Sequence, residues 1–465
     1  MKDRQASRST VEFTVSMKNR ATFIVLAWAL CPALFAQSPA PAAAPAVGTV
    51  VLTLPEAIQK TLRFSPALSA ADQDILAAKA KHQESKAASI VPEFNLRVFG
   101  GPTTDVPQGS GPENNFPRIE ETDFSDIGPF IRTQIELLQP IYTFGKISNL
   151  QKAAGHNVAA KELQKVSARN ELIFQVKKAY YGLAFLYSLD DFLRELDDRS
   201  KKAKDRIEER IKSGSGEATD IDLMRMEVFR SDTEKRLIEL QYGILFARQT
   251  LALLTGLAPK EVDIVDHYLS IQKIELQPVD HYLARAKVAR PEMSQLNEGV
   301  GAAQSYMKSV RAEFFPSFFL LGFYNFARAP GREDIESPFL VDNFNFDSMG
   351  GTLGMEQKLS FHRTSAKFKE ARAQFAKAKA LRDLAYQGME IEIRKAYNDF
   401  AGDQSSYEAA EKAFKVGRSW VLATTLNFGA GLVPIKDLLE AFVAYSRVKF
   451  SYLDAMQEFN TSLAQ

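Results

Sequence analysis

Two long stretches without proline carry a helical apolar repeat, and they limit the possible folds more than any other feature. The first lies between Lys146 and Lys212, and the second lies between Arg363 and Phe428. In the first, apolar side chains recur at three- and four-residue steps, beginning with Ile147, Leu150, Ala154 and Val158. At 1.5 Å per residue, about 65 residues form a helix of roughly 100 Å. An ordinary globular domain has no room for such a helix.

Four shorter segments show the two-residue alternation of β-strands. Around 94–98 and 131–137, apolar side chains alternate with polar neighbours. The segments 318–326 and 349–359 are predicted as a second pair. The former is apolar on both faces and the latter is rich in glycine, so either is also compatible with a buried core strand. Polar segments at about 102–125 and 327–347 are predicted as the loops of the two pairs. One apolar and one polar face suits a lipid-facing barrel strand.

The order of these segments occurs twice along the chain. The segment 88–94 resembles 312–318, and Lys-Ala-Tyr at 178–180 recurs at 395–397. The displacement between such matches drifts slowly, as expected of a duplicated unit with small insertions. The sequence therefore predicts a first repeat at 52–254, an equatorial linker at 255–277 and a second repeat at 278–465.

The N-terminus has the features of a secretory signal. An apolar run at 21–35 follows Lys18 and Arg20 and ends in small residues, so residues 1–36 are assigned to a signal peptide, with Met17 as a possible true start. Lipidation of Cys31, the one cysteine of the chain, stays open, although its neighbour Leu30 is not the small residue expected there. Residues 37–51, rich in Ala and Pro, are assigned to a tether.

The composition argues against several classes of function. A net charge of +1 gives no basic excess, so nucleic acid is not an expected partner. One cysteine and five scattered histidines offer little for a metal, and no nucleophile with a nearby base or cofactor loop is evident, so no cofactor and no enzymatic activity are expected.

A membrane role would need a barrel that several copies build together. Beyond the signal, no segment approaches the roughly 18 consecutive apolar residues of a spanning helix. Four strands cannot close a barrel, open edges are not tolerated in lipid, and outer-membrane barrels have at least about eight strands. The alternative is a soluble periplasmic coiled-coil scaffold, which would extract in water and contain almost no β structure.

Five short motifs resemble those of the TolC-type outer-membrane efflux protein family. They are Leu-Thr-Leu-Pro-Glu-Ala at 52–57, Ser-Pro-Ala-Leu at 65–68, Gln-Pro-Ile-Tyr at 139–142, Ala-Tyr-Tyr at 179–181 and Phe-Gly-Ala-Gly at 428–431. In their order and spacing they cover the chain from Leu52 to its end. The resemblance implies a mixed α and β membrane protein with a long α-helical barrel. It also implies a homotrimer that pools four transmembrane strands per subunit into a twelve-stranded barrel.

The resemblance further implies a function and partners. The chain would be a passive export duct of a tripartite efflux or type I secretion system, placed in the outer membrane of a Gram-negative bacterium and extending through the periplasm. Its partners would be outer-membrane lipid, a periplasmic adaptor protein and an inner-membrane pump.

The candidate site lies at two predicted turns between long helices. Gly214 with Gly216, and Gly429 with Gly431, supply the backbone freedom of helix-hairpin turns. No strand precedes either pair, so a phosphate-binding loop is not favoured.

Three acidic residues follow these turns. Asp437 and Glu440 are three residues apart and project from one side of a helix. The resemblance implies that they and Asp222 line the periplasmic aperture, where three copies would make a cation-selective acidic ring. The alternatives are stabilisation of a helix N-terminus by Asp437 and Glu440 and a capping box between Thr219 and Asp222.

The family also has a latch at this point of the fold. In relatives, an aromatic and a basic side chain on the second hairpin contact the acid that corresponds to Asp222. Here the turn region has Phe428 and Val433, so we expect that latch to be missing and the closure of the tip to depend on other contacts.

Overall fold

The computed structural model describes the chain from residue 50 onwards, with five internal gaps. The described residues are 50–104, 127–213, 218–258, 262–272, 274–332 and 342–465. The predicted signal peptide, Cys31, the tether up to residue 49, the greater part of both predicted loops, Gly214 and Gly216 lie outside the described residues.

Helices and strands follow one another in mixed order. In sequence they are β1 (Val50–Leu52), α1 (Leu54–Phe64), α2 (Pro66–Ile90), β2 (Glu93–Thr104), β3 (Ile127–Tyr142), α3 (Lys146–Lys212), α4 (Asp220–Thr255), β4 (Val262–Ile264), α5 (Val279–Ala289), α6 (Pro291–Ala312), β5 (Ser317–Arg328), β6 (Phe346–Glu356), α7 (Phe361–Gly429) and α8 (Ile435–Ala464).

The two proline-free stretches form the longest described helices. α3 has 67 residues and α7 has 69, so the lengths predicted from the apolar repeat are confirmed. α3 packs against α4, α6 and α8, while α7 packs against α6 and α8. The α3 stripe enters the core through Val176, Tyr180 and Leu183, which are almost fully buried. None of the helices that the structure describes combines the length and the apolar character that crossing a bilayer requires.

Proline breaks the helical segment that precedes each strand pair. Ser65 is extended and its hydroxyl oxygen accepts a hydrogen bond from the Leu68 backbone nitrogen, so α1 ends and α2 begins with Pro66. Arg290 and Pro291 make the corresponding break between α5 and α6. A proline in the first helical position needs no hydrogen-bond partner, and the residue before it is kept out of the helical conformation.

Four strands form one antiparallel sheet in the order β2-β3-β5-β6. The register separates its two faces. The apolar face has Phe94, Leu96, Val98, Ile131, Ile135, Tyr324, Phe326, Met349 and Leu353. The polar face has Asn95, Arg97, Arg132, Gln134, Glu136, Asn325, Ser348 and Thr352. Most large side chains of the apolar face are exposed in the isolated chain.

The segment predicted as apolar on both faces packs its second set of side chains onto glycines. Phe319 and Phe323 lie on the polar face of β5, opposite Gly354 and Gly350 of β6. A Cβ atom added to Gly354 or Gly350 would lie 2.5 or 2.7 Å from these rings. The glycines therefore let the two aromatic rings lie flat against the neighbouring strand.

The strands differ from their predicted bounds at the ends. β2 extends to Thr104 and includes Pro102, which pairs with Pro129 of β3. Pairing between β3 and β5 begins only at Ile131, so Pro129 has no neighbour on that side that needs its missing N–H group. The strand predicted at 349–359 is displaced towards the N-terminus and ends at Glu356.

A small parallel sheet of β1 and β4 joins the start of the fold to the linker. Val50 and Val51 belong to this sheet, so the structure corrects the end of the predicted tether. The run of β-branched residues, Val50 and Val51, pairs with Val262 and Asp263 of the segment predicted as the equatorial linker.

Side chains from the long helices pin this small sheet in place. The Tyr187 hydroxyl donates to Asp263 Oδ1 at 2.6 Å, and Arg248 of α4 donates to the Tyr187 oxygen at 2.6 Å and to Asp263 Oδ2 at 2.9 Å. Burial and the hydrogen bond to Asp263 raise the pKa of the Tyr187 phenol above its ordinary value. The phenol therefore stays neutral and keeps its proton for Asp263 at physiological pH.

We expect Arg248→Met to lower the unfolding temperature, because it leaves Asp263 without its cation while keeping the apolar stem. The free energy of unfolding should fall by about 1–3 kcal/mol, with a value near the lower end because the ion pair is partly exposed. The matched control is Arg236→Met in the same helix, where the exposed Arg236 pairs with Asp232 at 2.8 Å. Circular dichroism melting in detergent measures both, and equal effects would contradict the role of Arg248.

Candidate functional site

The ends of the two helix hairpins pack side by side. The first hairpin is α3 with α4 and the second is α7 with α8. We call the region where the last turns of α3 and α7 meet the first turns of α4 and α8 the tip. Side chains from all four helices meet in one buried cluster that includes Ile207, Met226, Phe428, Ile435 and Leu438. Phe229 of α4 stacks on Phe442 of α8 with ring centroids 5.9 Å apart. Apolar packing thus holds the ends of the four helices together.

The second turn is short and closed by backbone hydrogen bonds. α7 ends at Gly429, and Gly431 has a φ of 77°, in the left-handed region that favours glycine. The Leu432 nitrogen donates to the Asn427 carbonyl at 2.9 Å, and α8 begins after Pro434. The chain therefore reverses between Gly429 and Pro434.

Asp437 and Glu440 lie on the first turns of α8 and are exposed. Ile435 and Leu438 of the same turns point into the core, so the carboxylates face away from it. Neither carboxylate has a hydrogen bond or an ion pair to another residue in the part of the chain that the structure describes. Lys436, also exposed, leaves this turn with a net charge of −1.

Asp222 is occupied by contacts within its own helix turn. Its Oδ2 accepts hydrogen bonds from the backbone nitrogen of Thr219 at 3.1 Å and from the Thr219 hydroxyl at 2.7 Å. Arg225 lies 3.3 Å from the other carboxylate oxygen. Among the described residues, no contact joins Asp222 to Asp437 or Glu440, so the geometry favours the capping box.

Arg210 makes a contact between the hairpins that sequence reasoning missed. Its Nη2 donates to the Phe428 carbonyl at 2.5 Å and to the Gly429 carbonyl at 3.4 Å. Its guanidinium carbon lies 4.6 Å from the centre of the Phe428 ring. The cation therefore satisfies the open carbonyls at the end of α7, where the helix dipole is negative. We call this contact the Arg210 clamp.

The clamp also explains the small residue at the end of α7. A Cβ atom added to Gly429 would lie 3.2 Å from Nη1 of Arg206, one turn before Arg210 on α3. Glycine thus permits the close approach of two arginines from the first hairpin. The only sequence signal for the clamp is the basic last turn of α3, which contains Arg210 and Lys212.

The described residues offer little for metal chemistry. No group of three or more His, Cys, Asp and Glu side chains in the described ranges is arranged to hold a metal ion. What the tip offers is a pair of exposed carboxylates beside a clamped turn.

A family model described as outer membrane efflux protein matches residues 57–257 and 282–465. Among curated proteins, the fusaric acid resistance protein FusA of Burkholderia cepacia is 27% identical over 179 residues. That match covers 38% of this chain and 33% of FusA, so the chain spans about a third of the length of that curated relative.

Several solved structures of outer-membrane channels share the fold. The outer-membrane channel OprN superposes with a TM-score of 0.72 at 16% identity, covering 88% of each chain. VceC of Vibrio cholerae gives 0.69 at 19% identity, covering 88% of this chain and 94% of VceC. CusC gives 0.70 at 16% identity, covering 91% and 95%. Because the family model matches well over half of the chain, the protein belongs to the outer membrane efflux protein family.

Proposed function

We propose that the protein is a passive export duct, a homotrimer whose subunits each add four strands to a twelve-stranded barrel in the outer membrane. The observation that carries this proposal is the four-stranded sheet with one exposed apolar face, whose edge strands have no outer partner in the ranges that the structure describes. In water that face would be a large exposed apolar patch that favours aggregation, which argues against the soluble scaffold. In a membrane the face can contact lipid, but the backbone groups at both edges of the sheet then need hydrogen-bond partners.

A second copy supplies such partners. β2 and β6 are the edges of the sheet, and they have similar lengths of 12 and 11 residues. Pairing β2 of one subunit with β6 of the next continues the order of strands around a ring. Three subunits give twelve strands, a number within the range of closed outer-membrane barrels.

The helices carry a second set of unpartnered surfaces. α4 exposes apolar side chains on one face, in two groups: Ile221, Met224 and Val228 near its start, and Ile238, Tyr242, Leu245, Phe246 and Leu253 further along. α7 exposes Leu381, Leu384, Ile391, Val416, Trp420 and Leu426. Because α3 and α8 lie between α4 and α7, these stripes are at opposite edges of the subunit. We infer that α4 of one subunit packs on α7 of the next and closes an α-helical barrel.

The tip then becomes the periplasmic entrance. Asp437 and Glu440 would project towards the axis from three subunits, and six carboxylates at one constriction favour cations. Asp222 contributes less, because its carboxylate is already used at the start of α4. The Arg210 clamp ties the second turn to the end of α3 and would hold the entrance closed in the resting state.

The family assignment supports a place in a tripartite system with a periplasmic adaptor and an inner-membrane pump. Selection of cargo would then rest with those partners. The partial similarity to FusA, a protein named for fusaric acid resistance, favours the efflux of small molecules over protein secretion.

We expect Val228→Lys to disrupt the trimer, because it places a charge in the apolar stripe of α4. Val228 is 72% exposed in the single chain, and Val288, at the end of α5 and outside the stripe, is 83% exposed. Val288→Lys is therefore the matched control and should assemble normally. Native mass spectrometry of detergent-purified protein measures the assembly. An intact Val228→Lys trimer would contradict the α4–α7 interface.

Asp437→Asn combined with Glu440→Gln should weaken block of the channel by multivalent cations in planar-bilayer recordings, while trimers still form. The reason is the loss of negative charge at the proposed constriction. Asp232→Asn, which removes an exposed carboxylate from the middle of α4, is the control and should keep the block. Unchanged block in the double variant would overturn the assignment of the entrance.

Arg210→Ala should raise the conductance of single channels, because the second turn loses its tie to α3. Arg194→Ala is the control on the same helix, since Arg194 pairs with Asp190 one turn away. Hydrogen exchange at residues 426–432 provides a second readout and should speed up only in Arg210→Ala. Equal protection and equal conductance in both variants would show that the clamp does not restrain the tip.

A further inference from the structure

A cavity of about 350 Å³ lies between α5, the middle of α7, the last turn of α8 and the segment 274–276. Its walls are mainly apolar and aromatic, with Ile393, Tyr397 and Phe400 from α7 and Tyr282 from α5. The rings of Tyr282 and Tyr397 lie against each other with centroids 6.1 Å apart. A volume of this size is at the small end of the range for ligand sites in proteins. We call it the α5–α7 cavity.

The α7 wall of the cavity has a counterpart on α3. The displacement of the repeated Lys-Ala-Tyr motif places Val176, Tyr180 and Leu183 of α3 at the positions of the three α7 wall residues. In the first repeat these side chains are 0%, 1% and 0% exposed. The small sheet of β1 and β4 packs on this part of α3, and the Tyr180 hydroxyl donates to the carbonyl oxygen of Leu52 in β1 at 3.3 Å.

The matching segment of the second repeat forms no such sheet. Ser65 and Pro66 correspond to Arg290 and Pro291, so residues 275–277 take the place of β1. In the described ranges, this segment pairs with no strand. The space that a sheet fills on α3 is therefore a cavity on α7.

Both charged side chains that line the cavity are arginines. Arg290 is already paired, with its Nη1 atom 2.8 Å from Oε2 of Glu392. The side chain of Arg285 is exposed and makes no ion pair or hydrogen bond with the residues that the structure describes. A guanidinium group matches the geometry of a carboxylate, which it can bind through two parallel hydrogen bonds. The cavity thus combines an aromatic wall with a cation available for an anionic group.

The cavity stays open in the proposed trimer. At 3.6 residues per turn, Ile393 and Phe400 lie on the side of α7 opposite Leu384 and Ile391, which belong to the stripe assigned to the subunit interface. A neighbouring subunit that packs on this stripe leaves the cavity free. All of its walls come from one chain, so binding there does not depend on the trimer or on the duct.

We propose that the α5–α7 cavity is a binding site for a small amphipathic carboxylate. The aromatic or short alkyl body of this ligand packs against Tyr397 and Phe400, and its carboxylate binds Arg285. Burial of the body supplies most of the affinity, and the guanidinium group selects for the negative charge. By filling the place that a sheet has in the first repeat, the ligand stabilises the packing of α5 on α7.

Isothermal titration calorimetry of the protein in lipid nanodiscs tests the class of ligand, with 4-butylbenzoate as the probe. Titration into empty nanodiscs measures the partition of the probe into lipid. We expect saturable binding above that background. We also expect about tenfold weaker binding of 4-butylbenzyl alcohol, which has the same body without the charge. Equal affinity for the two probes, or no heat above the empty nanodiscs, would overturn the proposal.

Arg285→Met should weaken the binding of 4-butylbenzoate about tenfold, because it removes the cation and keeps an apolar stem. The matched control is Lys287→Met: Lys287 is an exposed cation of the same helix and is not part of the cavity wall. This control should bind the probe like the unmodified protein. If both variants bind the probe with the same affinity, Arg285 does not hold the carboxylate.

A second variant locates the bound probe without changing any charge. Ala396 belongs to the cavity wall, so Ala396→Phe fills the cavity and leaves Arg285 in place. It should abolish the binding of both probes, and unchanged affinity would show that they bind elsewhere. Failure of the proposed function gives a different result, because a protein that binds 4-butylbenzoate through Arg285 but forms no trimer refutes the duct alone.

Discussion

Backbone groups at the two edges of a membrane-embedded sheet need hydrogen-bond partners, and the rest of the account depends on this requirement. Among the described residues, β2 and β6 each pair with one strand, so the outer side of each has no strand partner within that part of the chain. In hydrocarbon each unpaired group costs several kcal/mol, and no water is present to compensate. In the proposed trimer, neighbouring copies would remove this cost and would also cover the apolar stripes of α4 and α7. The sheet and the helices are thus satisfied by the same proposed assembly.

The long helix α3 connects the sheet to the tip through contacts along its whole length. α3 contacts α6 near the sheet, α4 and α8 along its course, and the second turn through Arg210. In the middle, Tyr187 and Arg248 pin the small sheet of β1 and β4 to α3 and α4. An unbroken helix thus links the sheet to the tip. It packs against α6 at the sheet end and holds the second turn through the hydrogen bonds of Arg210 at the other end.

Features with a local cause were the ones that the sequence predicted well. The bounds of α3 follow from an apolar repeat that no proline interrupts, and the two faces of β2 and β3 follow from alternation. The capping box at Asp222, which depends on residues three apart, was also open to prediction. β1 was missed because three residues are too few for a pattern and its partner lies some 210 residues away.

Contacts between distant segments could not be predicted from the sequence for a related reason. Arg210 and Phe428, or Arg332 and Thr104, are ordinary residues at their own positions, and only the packing of the hairpins brings them together. The exposure of Asp437 and Glu440 agrees with the side predicted for them, but their place at an aperture depends on neighbouring subunits.

The pairing between subunits is the central claim, and an electron cryo-microscopy reconstruction of the protein in lipid nanodiscs tests it most directly. The account predicts three copies around one axis, with β2 of each subunit hydrogen-bonded to β6 of the next and the apolar face of the sheet towards lipid. A single subunit whose β2 and β6 edges stay unpaired, or a ring in which the apolar face lines the lumen, would contradict it.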